Sequence, residues 1–184
     1  RILIAGCGTG RHAAITAQLQ PHARILAVDL SRASLAHAMR RSTGLGLSNL
    51  RFAQADLLAL GALEERFELI ECSGVLHHLH DPLAGWRALL SLLEPGGFMK
   101  LGLYSERARR HIVAARAAVH GLGVRAARAR ILELAPDHPA RAVPRLADFY
   151  CASGARDLIL HVQEHRFTLP QLASAIDALG GTPF

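Results

Sequence analysis

The run Ile2-Leu3-Ile4-Ala5-Gly6-Cys7-Gly8-Thr9-Gly10 constrains the fold more than any other stretch: a short apolar strand enters a turn of alternating glycines and leaves it as a helix. Glycine has no Cβ and accepts positive φ, so such a turn lets the backbone approach a bound molecule closely. It also aims the free N–H groups of the following helix at any anionic group that arrives. Nineteen residues after Gly10, Asp29 closes a second apolar run. A carboxylate there can accept hydrogen bonds from both hydroxyls of a ribose.

Up to Ser105, short apolar runs alternate with helical stretches, the pattern of βαβ units. Strands are expected at residues 1–5, 24–29, 50–54, 67–72 and 98–104, with helices at 11–19, 31–43 and 82–93. Ser31 and Asp81 suit N-cap positions, and Pro82 is pre-set for a first helical residue. Glu94-Pro95-Gly96-Gly97 should stop the third helix and turn the chain into the fifth strand. The expected architecture is α/β, a doubly wound, mostly parallel sheet with a helical insertion after the fifth strand. In that insertion Ala108, Ile112, Ala115, Val119 and Leu122 share one face of a helix. Arg107, Arg109, Arg110 and Arg116 lie mostly off that stripe, which reads as a solvated face. A last helix should follow Pro170, and residues 180–184 resemble the start of a further strand.

At 184 residues the chain is one domain's worth, able to bury roughly 70% of its unfolded surface. Its 51% hydrophobic and 20% charged residues exclude a disordered chain. No run approaches the roughly 20 apolar residues of a membrane-spanning helix, so no membrane partner is expected. The net charge of +6 would suit an anionic partner, but 20 of the 21 basic residues are Arg scattered among Ala, which reads as compositional bias. With aromatic residues at 5% and no basic-aromatic platform, nucleic acid is disfavoured. Cys7, Cys72 and Cys151 form no CxxC pair, which fits a reducing, cytoplasmic setting and argues against a cysteine metal site. The chain starts at Arg1 inside a strand and reads as a fragment of a longer protein, with other domains as possible partners.

The glycine spacing separates two cofactor classes. A dinucleotide fingerprint wants G-x-G-x-x-G, and Arg11 stands where its third glycine belongs. Here the spacing is G-x-G-x-G. Together with Val28-Asp29-Leu30-Ser31, Gln54-Ala55-Asp56-Leu57, Phe67-Glu68-Leu69-Ile70-Glu71-Cys72 and Val75-Leu76-His77-His78-Leu79, it closely resembles the class I S-adenosylmethionine-dependent methyltransferases, whose fold is Rossmann-like. The resemblance covers residues 1–104.

That resemblance implies S-adenosyl-L-methionine as cofactor. Gly6, Cys7, Gly8 and Gly10 would cradle its methionine part, Asp29 would hold the ribose and Leu30 would flank the adenine. Asp56 and Leu57 would read the adenine, although Asp56 also suits the N-cap of a short helix. Backbone groups of Cys72 and Ser73 would meet the methionine amine. One position departs from the family pattern. The first strand commonly carries an acid two places before the first glycine, where it helps neutralise the cofactor's ammonium; here that place is Ile4. Amine recognition is then weaker or supplied elsewhere.

Methyl transfer from a sulfonium needs orientation and exclusion of water above all. A base matters only if the acceptor must lose a proton. His77, after the fourth strand, and His161 and His165, in an H-x-x-E-H stretch, are the catalytic candidates. No metal site is assigned, because Pro170 curtails any helix over 161–165 and no third ligand presents itself. The segment 105–168 is expected to act as a lid over the acceptor. Glu71-Cys72-Ser73-Gly74 stands where an Asp/Asn-Pro-Pro-Tyr segment would mark amino-methylation of DNA bases, so a small-molecule acceptor leads RNA or protein. The alternatives are a non-catalytic cofactor-binding module of a larger protein and a nicotinamide-dependent oxidoreductase.

Overall fold

Strands covered by helices on both faces call for near-continuous Val, Ile and Leu rather than alternation. The apolar runs meet that demand fully at residues 2–5 and 25–28. In a computed structural model, which describes residues 1–180, they form β1 (Ile2–Ala5), β2 (Ile25–Asp29), β3 (Leu50–Gln54), β4 (Phe67–Ser73) and β5 (Leu93–Gly102). Every neighbouring pair is parallel, in the order β3-β2-β1-β4-β5. Chain direction along the sheet reverses between β1 and β4, the switch point at which open sheets of this kind form a crevice at their carboxyl ends.

Helices α1 (Arg11–Leu19) and α2 (Arg32–Gly44) cover the face that carries Ile2, Ile4, Ile25 and Ala27. α3 (Pro82–Leu90) buries Trp86 and Leu89 and packs against β5. The expected caps form. Ser31 Oγ accepts from Ser34 N at 3.2 Å, and Asp81 Oδ1 accepts from Leu83 N at 2.9 Å and Ala84 N at 3.0 Å. One boundary moves. α3 stops at Leu90, short of the expected 93, and β5 already begins at Leu93, so Glu94-Pro95-Gly96-Gly97 falls inside the strand rather than before it. Leu93 pairs with Phe67 and Phe98 with Leu69, so the tetrapeptide is absorbed as a register shift at the sheet edge.

The described residues divide into two units, one of Arg1–Leu103 together with 177–180, the other Tyr104–Ile176. The second contains α4 (Arg110–Ala118), α5 (Val124–Glu133) and α6 (Ala152–Leu160) around a core that includes Ile112, Ala115, Val119, Ile131, Phe149 and Ile159. Three residues of the expected stripe are in that core; Ala108 and Leu122 lie outside α4. The solvated-arginine reading fails for two positions. Arg109 and Arg116 turn inward to the buried Glu164, because a carboxylate with a 1% exposed side chain needs cationic partners. α7 (Leu169–Leu179) follows. The strand expected over 180–184 lies outside the described residues, apart from Gly180. No helix among the described residues is long and apolar enough to cross a membrane.

Candidate functional site

The glycine turn sits between β1 and α1, and each glycine is required for its own reason. Gly6 has φ +79°, and a Cβ there would lie 2.1 Å from Val75 Cγ2. Gly10, also at +79°, would meet Ala38 Cβ at 2.5 Å. Gly8, at +52°, has no atom within 4 Å of where its Cβ would be; open space faces it. The turn is pinned from β2. Asp29 Oδ2 accepts from Gly8 N at 2.7 Å, and its Oδ1 accepts from Ser31 N at 2.8 Å. Each carboxylate oxygen keeps a second lone pair for a ligand hydroxyl.

Two clefts meet at Gly6. The larger, about 610 Å³, is bordered by the glycine turn, Arg11, His12, Glu71, Ser73 and Lys100. The smaller, about 170 Å³, is bordered by Val28, Asp29, Leu30, Asp56, Leu57 and Val75. One is charged and wide, the other mostly apolar with two carboxylates at its edge. That division suits a molecule with a zwitterionic end and a flat heterocyclic end joined through a sugar. The cradle fits S-adenosylmethionine: the chain leaves open the space over Gly8, and Asp29 stands at the boundary between the two ends.

A family model described as a methyltransferase domain matches residues 2–97, just over half of the chain. The chain is a member of the class I S-adenosylmethionine-dependent methyltransferase family. It is 43% identical over 113 residues to an uncharacterised protein of Synechococcus, covering 61% of this chain and 27% of that one. It is 37% identical over 94 residues to trans-aconitate 2-methyltransferase of Deinococcus radiodurans, covering 51% and 34%. The fold is like that of PKMT2 from Rickettsia typhi, with a TM-score of 0.79 at 19% identity over 97% of this chain and 37% of that one. The chain spans 27% to 52% of the length of eight of the curated relatives it matches, the Synechococcus and Deinococcus proteins among them.

Of the positions assigned to cofactor from the sequence of this methyltransferase domain, Gly6, Cys7, Gly8 and Ser73 border the larger cleft. Gly6, Asp29, Leu30, Asp56 and Leu57 border the smaller. Gly10 and Cys72 border neither. Gly10 instead caps α1, and the Cys72 side chain is buried in the sheet. Asp56 does cap a short helical turn at Leu57–Ala62, its Oδ1 accepting from Leu58 N at 2.9 Å. Its Oδ2 has no hydrogen bond among the described residues. Burial pushes the Cys72 thiol up to about 12, and burial together with the Asp29 charge pushes Cys7 up to about 11, so neither is a nucleophile at neutral pH.

The histidines fare differently from the glycines. His77 is fully buried in the turn Leu76–His78, edge-on to His78 with ring centroids 4.3 Å apart. In this arrangement the His77 ring has no exposed surface and borders neither cleft. In the second unit His161 Nδ1 lies 2.7 Å from the Gln163 carbonyl oxygen, and His165 Nε2 lies 3.2 Å from Gln163 Nε2. Residues 161–165 are not helical. Glu164, the would-be base of an H-x-x-E-H site, is held by Arg109, Arg116 and Arg166 instead.

Glu71 is not among the site residues expected from the sequence. It lies on β4, in register with Ile4 of β1, and registered residues on parallel strands face the same side. Its Oε2 lies 2.7 Å from His12 Nε2, and Lys100 Nζ donates to its Oε1 at 3.4 Å. The signal was present: an acid in the middle of a central parallel strand breaks the apolar run such a strand requires.

Proposed function

We propose that this methyltransferase domain binds S-adenosylmethionine along the two clefts, methionine part in the larger and adenosine in the smaller, and transfers its methyl group to a small-molecule acceptor in a reducing, cytoplasmic setting. The observation that carries the reading is the glycine turn pinned by Asp29 at the switch point, with a charged cleft on one side and an apolar one on the other. When bound, the cofactor supplies an electrophilic methyl on a sulfonium. Asp29 orients the ribose while holding the turn in place. Leu30 and Leu57 flank the adenine and exclude water from it, and Oδ2 of Asp56 accepts from the exocyclic amine. Gly8 lets the backbone come close to the methionine part. His161 and His165, both partly exposed, are the remaining candidates for moving an acceptor proton, and residues 105–168 are assigned to acceptor selection.

The small-molecule reading is supported by Glu71-Cys72-Ser73-Gly74 in place of the DNA-amino motif and by relatives whose names include a trans-aconitate methyltransferase. Incubating the full-length protein with methyl-labelled S-adenosylmethionine and a fractionated extract tests it. Label in the low-mass fraction is expected. Label confined to protein or RNA contradicts the acceptor class, and no transfer at all favours a non-catalytic module.

A further inference from the structure

Glu71 is the only carboxylate among the described residues bordering the larger cleft, and that cleft also holds Arg11, His12 and Lys100, the single lysine of the chain. Its side chain is 11% exposed, whereas those of His12 and Lys100 are 50% and 67% exposed. The acid therefore sits at the floor, and the imidazole and the ammonium stand at the mouth. An almost buried carboxylate is costly unless cations meet it. Its Oε1 has only the long 3.4 Å contact with a solvent-borne ammonium. Such an oxygen can exchange one ammonium for another. An α-amino acid carries an ammonium and a carboxylate on one carbon, so it needs an acid and a base side by side. Here Glu71 and Lys100 stand in that relation on paired positions of β4 and β5.

Across the other strand boundary, Glu71 is registered with Ile4, the place at which the sequence lacks an acid. Neighbouring strands lie about 4.8 Å apart, and the two side chains face the same side, so an acid at either position addresses the same cleft. We propose that Glu71 supplies, from β4, the carboxylate that recognises the ammonium of the cofactor's methionine part, with Lys100 released to that part's carboxylate. This rests on the cofactor reading above and says which residue completes it.

The test is a cycle of calorimetric titrations on the full-length protein and its Glu71→Gln variant, with S-adenosylhomocysteine and with its analogue lacking the α-amino group. In the unsubstituted protein the amine should be worth about 10- to 100-fold in affinity. In Glu71→Gln the two ligands should bind within about twofold of each other. Equal weakening of both ligands means that Glu71 only holds the cleft together, and overturns the inference while leaving the cofactor reading intact. An amine preference that survives in Glu71→Gln overturns it too. Failure of either ligand to bind the unsubstituted protein overturns the cofactor reading and the inference with it. Should Glu71→Gln not fold, the exchanged pair Ile4→Glu with Glu71→Ile keeps the charge count and should keep the amine preference; its loss there also contradicts the assignment.

Discussion

Two glutamates, each met by basic side chains, show how the same pairing serves different ends. Glu164 in the second unit has a 1% exposed side chain and three arginines. Arg109 grips it through two contacts, of 2.6 and 3.0 Å, while Arg116 lies at 3.2 Å and Arg166 at 3.4 Å. Arg109 also stacks on Tyr104, 3.6 Å from the ring centroid, and Arg116 reaches the carbonyl of His161. That cluster is closed. Glu71 in the first unit has an 11% exposed side chain, its ionisable partners are half-exposed or more, one of them distant, and it opens on a cleft. A planar guanidinium held in a fork fixes a carboxylate, whereas an imidazole and a mobile ammonium leave it available. The contrast identifies Glu164 as structural and Glu71 as a ligand-facing group.

Removing the closed cluster should have the largest effect. Glu164→Gln leaves three guanidiniums facing one another, and breaking a buried pair of this kind costs roughly 3 kcal/mol. Denaturant unfolding should show that loss, and a loss below about 1 kcal/mol would put Glu164 in the same class as Glu71. On the cleft side the comparable loss should fall on binding. Asp29→Ala removes charge-assisted hydrogen bonds to the ribose, expected to cost about 1.5–3 kcal/mol, or about 10- to 150-fold in S-adenosylhomocysteine affinity. A change under twofold would mean that the ribose lies elsewhere.

The two clusters should also part company in acid. Burial works to raise the Glu164 carboxyl, but the hydrogen bond and charge of Arg109, with Arg116 and Arg166, outweigh it and hold it below the ordinary value. A carboxylate depressed on folding contributes stability above its unfolded value, near pH 4.3, and loses it as pH falls through the folded one. Unfolding free energy of the unsubstituted protein should therefore drop below about pH 4.3. Glu164→Gln should flatten that drop; an unchanged slope in the variant would contradict the assignment. The smallest effect is expected from Glu71→Gln, whose ionisable partners are half-exposed or more and whose buried partner, Thr16, donates at only 3.5 Å. The amide sheds the desolvation cost of a nearly buried charge as it loses the pairing, so stability should change by less than about 1 kcal/mol in either direction.

The same contrast explains what the sequence disclosed. Strand runs, caps and the glycine turn are local matters, settled by φ preference and apolar runs, and Gly6, Gly8, Gly10 and Asp29 were legible for that reason. Arg109 and Arg116 were not. Their helical position points outward by periodicity, and only Glu164, some fifty residues later, turns them inward. His77 followed a strand end, where ligands bind, yet its short helical turn carries the ring into the interior. The Glu94-Pro95-Gly96-Gly97 turn read as a boundary because local breakers cannot show that an edge strand will absorb them in a register shift. Glu71 needed strand order as well. Nothing in the chain's own order places it beside Ile4 until β4 is paired with β1.

Titration of the full-length protein with S-adenosylhomocysteine, set beside the same titration with NAD, tests the cofactor cleft most directly. One S-adenosylhomocysteine per chain, with no measurable heat from NAD, is the expected result. Saturable binding of NAD without binding of S-adenosylhomocysteine would contradict the proposed use of the glycine turn.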